Sequence, residues 1–266
     1  MIQPPTELRC APPGAVPTAI RIGRGLRNTL LEEIPERALC IVDAAVAGSW
    51  RQMPQCPRWK THPGGEAHKT LRGLEHLLRQ LAQREVDRAG VLVAVGGGAL
   101  GDLVGLAGAL YLRGIEVWQV PTTLLAMVDA SVGGKTAVDL PEGKNLAGAI
   151  HPPSRVLVDP GFLETLPDRE FQSGLAEILK MAIGTAATLF QHLEQHTAQV
   201  LARDPEALDF AIARSLAGKA RIVEGDLGES GPRRTLNLGH TVGHAIEAHA
   251  LDALRSQLAK PFEAEC

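Results

Sequence analysis

GVLVAVGGGALGDLVGLAGALYLRG, residues 90–114, opens on an unbroken apolar run, turns on Gly96, Gly97 and Gly98, and continues as a small-residue helix. The run Val91–Val95 reads as a strand buried on both faces, because no polar residue alternates through it. Glycines directly after such a strand let the backbone approach a ligand, and the helix N-terminus behind them favours an anion. A tight strand-to-helix turn without a ligand accounts for the same glycines. The spacing G-G-G-x-x-G-D also differs from the dinucleotide fingerprint G-x-G-x-x-G.

Outward from this unit the pattern repeats. TAIRIG and ALCIVDA read as strands with GLRNTLLEEI as a helix between them, and IEVWQV and RVLVD read as further strands. EAHKTLRGLEHLLRQLAQREV carries leucines at 71, 74, 77, 78 and 81, one face of a helix. Strands alternating with helices predict a parallel sheet flanked by helices. After about Pro160 three helical patterns follow without a strand between them. The expected fold class is therefore an α/β N-terminal domain, residues 1–159, followed by an α-helical domain, residues 160–266, with a site in the crevice between them. The proline-rich start MIQPPTELRCAPPG reads as a loose terminus rather than a signal peptide.

The composition excludes several function classes. The chain has 266 residues, 45% hydrophobic and 21% charged, with a net charge of -3. That balance gives no footprint for nucleic acid, and aromatic residues at 3% are too few for base-stacking platforms. Cys10, Cys40, Cys56 and Cys266 form no C-x-x-C pair, so neither a disulfide framework nor a thiolate zinc site is expected. No apolar run is long enough to span a bilayer, and a cytoplasmic location is the expectation.

DASVGGKTAVD, residues 129–139, carries the end of a P-loop, Gly134-Lys135-Thr136, but Asp129 stands where the first glycine belongs. The preceding TTLLAMVDA looks helical, whereas a P-loop follows a buried strand, so ATP binding is not expected. Arg113, Asp129, Lys135, Lys144 and Asn145 lie among glycines and small residues and read as turn positions. Two lysines with a nearby arginine suit a phosphorylated or carboxylated substrate; salt bridges to Asp129, Asp139 and Glu142 are the competing reading. Asp43, at the end of CIVDA, is placed to take ribose hydroxyls or simply to cap a helix. Glu66 and Lys69 are either a second clamp or a solvated helix face. Glu177 and Lys180 fall three apart on one face, as an ion pair would. His240 and His244 form H-x-x-x-H, which aims both imidazoles one way as a metal site requires, with Glu177 as the candidate third ligand.

Taken together, GGEAHK, GGGALGDLVGLAGALYLRG, VPTTLLAMVDASVGGKTAVDLPEGKNLAGA, LETLPDREFQSGLAEILK and RRTLNLGHTVGHAIE resemble the 3-dehydroquinate synthase family of sugar-phosphate cyclases, in order and spacing, from about Asp43 to Glu247. The resemblance implies a Rossmann-like domain followed by a helical domain, NAD and a divalent metal (Zn2+ or Co2+) as cofactors, and a homodimer. It implies conversion of 3-deoxy-D-arabino-heptulosonate 7-phosphate to 3-dehydroquinate and phosphate. Carried over by position, NAD would be held by Asp43, Glu66, Lys69, Gly97, Gly98, Asp102, Thr122, Thr123, Lys144, Phe162 and Thr165. The substrate would meet Asp129, Lys135, Asn145, Lys180, Lys219, Arg233, Asn237 and His244, with Arg113 reaching the phosphate from a neighbouring subunit. Glu177 and His240 would bind the metal.

The family's third metal ligand is a histidine in a His-Gly-Glu motif, and this sequence has none; His249 lies too soon along the helix to replace it. A truncated helical domain is therefore expected, as a fragment, a frameshift or a naturally short form. The alternatives are a cyclase acting on another sugar phosphate, such as a heptulose 7-phosphate, and an inactive NAD-binding homologue.

Overall fold

A computed structural model describes residues 6–50 and 58–239. Its centre is a seven-stranded sheet in the order β1-β2-β9-β6-β5-β3-β4. These strands are β1 (Thr6–Cys10), β2 (Thr18–Ile22), β3 (Ala38–Asp43), β4 (Trp59–His62), β5 (Val91–Gly96), β6 (Glu116–Pro121) and β9 (Arg155–Val158). All neighbours run parallel except β1, which pairs antiparallel with β2. Strand β5 is buried at every position, as its unbroken apolar run requires of a strand covered on both faces. Its side chains alternate between two cores: Val91, Val93 and Val95 join one, Leu92 and Ala94 the other.

The second core is closed by helices α3 (Leu71–Gln83) and α4 (Gly98–Leu110). Leu74, Leu77 and Leu81 of α3 are buried, whereas Leu71 of the expected stripe is exposed. Thr70 caps α3, its Oγ1 accepting from Gly73 N at 3.1 Å. Helix α4 lies so close to β6 that a Cβ on Gly101 would sit 2.8 Å from Gln119 Oε1. The first core continues into three helices, α5 (Asp168–Thr185), α6 (Ala187–Leu201) and α7 (Pro205–Gly225). Asp204 starts α7 by accepting from Glu206 N and Ala207 N, with Pro205 in the first turn. Two shorter helices, α1 (Leu26–Glu33) and α2 (Ala44–Ser49), follow β2 and β3. No helix among the described residues is long and apolar enough to cross a membrane.

Three segments differ from the sequence reading. Residues 6–10 of the expected loose terminus form β1, and Cys10 Sγ donates to Ala220 O of α7 at 3.5 Å. The edge strand β4 was not expected. The presumed turn positions from Lys135 onward form an antiparallel hairpin, β7 (Lys135–Leu140) and β8 (Gly143–Ile150). Its strands are rich in Gly and Ala, and β8 is largely exposed, so it lacks the apolar alternation that marks a strand.

Candidate active site

The sheet order creates one crevice. From β3 the chain goes to the edge strand β4, and from β5 it goes the other way to β6. Ligands of open α/β sheets bind at such a switch point, outside the carboxyl ends of the two strands. Here a cleft of about 540 Å³ opens between them, lined by Asp43, Gly65, Glu66, Gly97, Gly98, Thr122, Thr123, Phe162 and Thr165 among others. Gly97 precedes α4 without a side-chain cap, so the first amides of the helix are left for a ligand. A Cβ on Gly97 would press on Thr123 Cγ2 at 3.2 Å, and one on Gly98 on Ala130 Cβ at 3.1 Å. The glycines keep this floor open. Asp43 caps the following helix, one carboxylate oxygen accepting from Ala45 N at 2.9 Å, and it also lines the cleft. This open, glycine-floored crevice at a helix N-terminus fits a dinucleotide.

Lys69 is not on a solvated helix face. Its side chain is 4% exposed, and Nζ lies 2.9 Å from Asp102 Oδ2 and 2.5 Å from Asn145 Oδ1. Asp139 N donates to Lys69 O at 2.8 Å, and Asn145 N donates to Asp139 Oδ1 at 2.8 Å. The segment before α3, the middle of α4 and the hairpin are thus fastened at one point. Asn145 has φ 58, a left-handed conformation that Asn tolerates better than most residues. Burial pushes the Asp102 carboxyl above the usual carboxylate range, and the Lys69 ammonium holds it back.

Next to this point lies a second cleft of about 810 Å³, lined by Asp102, Asp129, Lys135, Asn145, Lys180, Lys219, Glu229, Arg233 and Asn237 among others. Asp129 sits in a π-helical turn, Ala126–Ala130, in which Ser131 N donates to Ala126 O; such turns recur at functional sites. Lys219, buried on α7, donates to Asp129 Oδ1 at 2.5 Å and to Asp129 O. Burial lowers the Lys219 pKa and Asp129 opposes it. Lys135 pairs with Glu229. Its pKa is lowered by burial, then by Arg233 and Lys219, against Asp129. Arg233 is buried and donates to Leu227 O at 2.6 Å and to Gly133 O at 3.2 Å. The loop carrying Glu229 and Arg233 is held by Asp226, whose carboxylate accepts from Ser230 N, Gly231 N and Arg233 N. Four cations around one cavity make a site for an anion with several charged oxygens.

The glycines of residues 129–139 now have a reason. Gly133 has φ 109 and Gly134 φ 67, and a Cβ on Gly134 would lie 2.6 Å from Pro152 N. They bend the chain from the π-turn into β7 and bring Lys135 round to face Asp129.

Some expected residues are not brought together. Arg113 is exposed with φ 68, beyond the far end of α4; thirteen helical residues put it about 20 Å from the glycine turn, and it lines neither cleft. Lys144 is exposed on β8 and also lines neither. Glu177 pairs with Lys180 through its Oε2. His240 and His244, with His249, lie outside the described residues. Among the described residues no three His, Cys, Asp or Glu side chains are grouped to hold a metal. Glu229, which lines the second cleft, was missed as a site residue. Glu229 also accepts from Asn237 Nδ2 at 2.6 Å; an acid in a Gly/Ser loop flanked by candidate cations was the available signal.

Residues 60–173 match the family model described as 3-dehydroquinate synthase N-terminal, and residues 174–255 the one described as 3-dehydroquinate synthase C-terminal. A 3-dehydroquinate synthase of Halorhodospira halophila is 44% identical over 237 residues, covering 86% of this chain and 67% of the relative. One of Methylococcus capsulatus is 52% identical over 185 residues, covering 70% of this chain and 52% of the relative. The chain thus spans about half to two thirds of the length of the curated relatives it matches. Among solved structures, ValA (2-epi-5-epi-valiolone synthase) from Streptomyces hygroscopicus with NAD+ and Zn2+ bound is 33% identical with a TM-score of 0.73, covering 84% of this chain and 65% of that one. A 2-deoxy-scyllo-inosose synthase complexed with carbaglucose-6-phosphate, NAD+ and Co2+ is 25% identical with a TM-score of 0.74, covering 92% and 71%. An iron-containing alcohol dehydrogenase at 13% identity and TM-score 0.60 shares the fold alone. The matched family models, the relatives and the fold agree: this chain belongs to the 3-dehydroquinate synthase family.

Proposed function

We propose that the chain acts in the NAD- and metal-dependent conversion of 3-deoxy-D-arabino-heptulosonate 7-phosphate to 3-dehydroquinate and phosphate, in the shikimate route to aromatic amino acids. The observation that carries this is the gathering of Lys135, Lys180, Lys219 and Arg233 in one cleft beside a glycine-floored crevice, in a chain of this family. Binding of NAD would be shared by Asp43, Glu66, Gly97, Gly98, Thr122, Thr123, Phe162 and Thr165, with Lys69 and Asp102 fixing the wall between the clefts. The nicotinamide supplies a reversible hydride acceptor.

The chain's own residues would do the rest. Lys135, Lys219 and Arg233 would hold the phosphate and carboxylate oxygens by charge-assisted hydrogen bonds. Asp129 keeps Lys219 aimed into the cleft, and Asn145 and Asn237 would take substrate hydroxyls. The lowered pKa of Lys135 would make its ammonium a readier proton donor. Glu177 and His240 are the proposed ligands of a divalent metal, with His244 towards the substrate. The described residues alone do not complete that metal site. A homodimer, in which Arg113 and Lys144 contribute at the boundary of a site, a boundary between the two domains near residue 160, and a cytoplasmic location belong to the same proposal.

The test is phosphate release by the purified chain with NAD and Zn2+, offering the heptulosonate phosphate and sedoheptulose 7-phosphate separately, with NAD binding followed by calorimetry. NAD-dependent release from the first substrate supports the proposal. Release from the second alone replaces the substrate, and NAD binding without release from either overturns the enzymatic reading.

A further inference from the structure

On the side of the Gly64–Lys69 segment away from the crevice lies a third cavity, of about 450 Å³, between the edge strand β4 and the start of α3. It shares no lining residue with either cleft. Its charged or titratable lining side chains are Lys60, His62, His68, Arg72 and His76, all bases; no carboxylate lines it. The acids nearby are engaged or turned elsewhere. Asp43 faces the crevice, Glu66 is 3.8 Å from Lys69, and Glu75 pairs with Arg79 at 2.8 Å.

One imidazole is set to donate. His62 is buried and its Nδ1 accepts from Gly64 N at 3.0 Å, so the neutral ring carries its proton on Nε2. Burial, then the neighbouring His68, lowers the His62 pKa, with Asp43 opposing, which favours the neutral, Nε2-donating ring. His68 packs edge-on against it at 5.9 Å. Gln80 contacts His76 through its Nε2 at 2.6 Å and leaves its Oε1 buried without a partner, an orphan acceptor that a hydroxyl of an occupant would satisfy.

We infer that this cavity is a second anion site, built for a phosphate group, either free or carried by a small hydroxylated metabolite. Lys60 and Arg72 supply charge, and His62 and His68 supply directed hydrogen bonds. Gln80 takes a hydroxyl. An occupant would rest on Ala67 and His68, in the same short segment whose Gly65 and Glu66 line the crevice and whose Lys69 fastens the hairpin. The inference stands on the cavity and does not depend on the proposed reaction.

The experiment uses the whole chain labelled with 15N-histidine, its imidazole signals assigned by His→Gln variants. Inorganic phosphate and glycerol 3-phosphate are titrated separately at constant ionic strength and pH. Saturable shifts of the His62 and His68 signals with either are expected, and the tighter one identifies the source. K60Q/R72Q is expected to weaken binding at least about tenfold, since two charge-assisted contacts are lost. K135Q, in the other cleft, leaves the isotherm within about twofold, a difference below 0.5 kcal/mol. H68Q serves as a second probe should the double variant lose its native circular dichroism. Linear shifts matched by sodium chloride, an isotherm unchanged in K60Q/R72Q and H68Q, or one abolished by K135Q would overturn the inference.

Discussion

Replacing Lys69 by Met removes the cation that fastens three parts of the chain. Its side chain is 4% exposed, and the lost partner leaves Asp102, 22% exposed, without its 2.9 Å contact. Breaking a fully buried pair costs about 3–5 kcal/mol; because water reaches part of Asp102, we expect about 2–3 kcal/mol in Lys69→Met. In a chain of this size that is roughly 5–10 °C of Tm, read alongside the urea midpoint at unchanged slope. Asp102→Asn in the same background should recover about 1–2 kcal/mol as a coupling energy.

The pH dependence gives an independent check. Asp102 is already raised by burial and held down by Lys69, so without Lys69 its folded pKa rises further. A carboxyl whose folded pKa exceeds the unfolded value binds more protons in the native state, and stability falls as pH rises between the two. The penalty of Lys69→Met is therefore fully present at neutral pH and shrinks as pH falls towards about 4, the unfolded Asp value. A Lys69→Met variant within about 0.5 kcal/mol of the parent, the ordinary surface range, or a penalty that does not change with pH, would refute the fastening role.

Three further outcomes follow from particular contacts. Gly134→Ala forces a side chain into φ 67 and against Pro152 N at 2.6 Å, so it should cost about 2–4 kcal/mol from backbone strain plus overpacking. Gly228→Ala, with nothing within 4 Å, is the matched control in the same denaturation assay. Gly97→Val should keep the fold, since nothing nearer than Thr123 Cγ2 at 3.2 Å meets the new Cβ, yet weaken NAD at least about tenfold by calorimetry, as its branches occupy the crevice floor. Cys10 has its thiol pKa raised by burial, with Glu224 adding, to about 11 from 9.0. Its alkylation by iodoacetamide at pH 8, mapped by peptide mass, should be about a hundredfold slower in the native chain than in urea, because the thiolate fraction falls with the shift.

Sequence patterning exposed the central unit clearly because burial leaves a mark on composition. A strand covered on both faces must be apolar throughout, and β5 is. The hairpin β7–β8 escaped for the converse reason. Its fit depends on small residues: a Cβ on Gly148 would collide with Thr136 O, and smallness looks like a turn in one dimension. The strand β1 was hidden among prolines whose influence ends before it. In the cleft, Asp129, Lys135, Lys219 and Arg233 were legible by resemblance, but their pairing was not. Lys135 meets Glu229, and Lys219 meets Asp129 90 residues away; no local period reports such contacts. Lys69 shows the limit most plainly, since a lysine at the start of a helix suggests solvent until the hairpin that buries it is in place.

The bond from Cys10 to the carbonyl of Ala220 spans 210 residues, and Ala11 N reaches Glu224 across 213. Contacts of that sequence separation form late, because the loop they close must be ordered first. On the ribosome, β1 can pair with β2 at once, but its contacts to Ala220 and Glu224 wait until α7 has been synthesised, and the cationic cleft has no Arg233 until later still. The early sheet strands and the glycine turn can pair long before either event. A nascent chain would therefore complete its glycine-floored crevice before its cationic cleft. Until β9 (Arg155–Val158) is made, β2 and β6 keep open edges, and those edges are where mispairing between chains would begin.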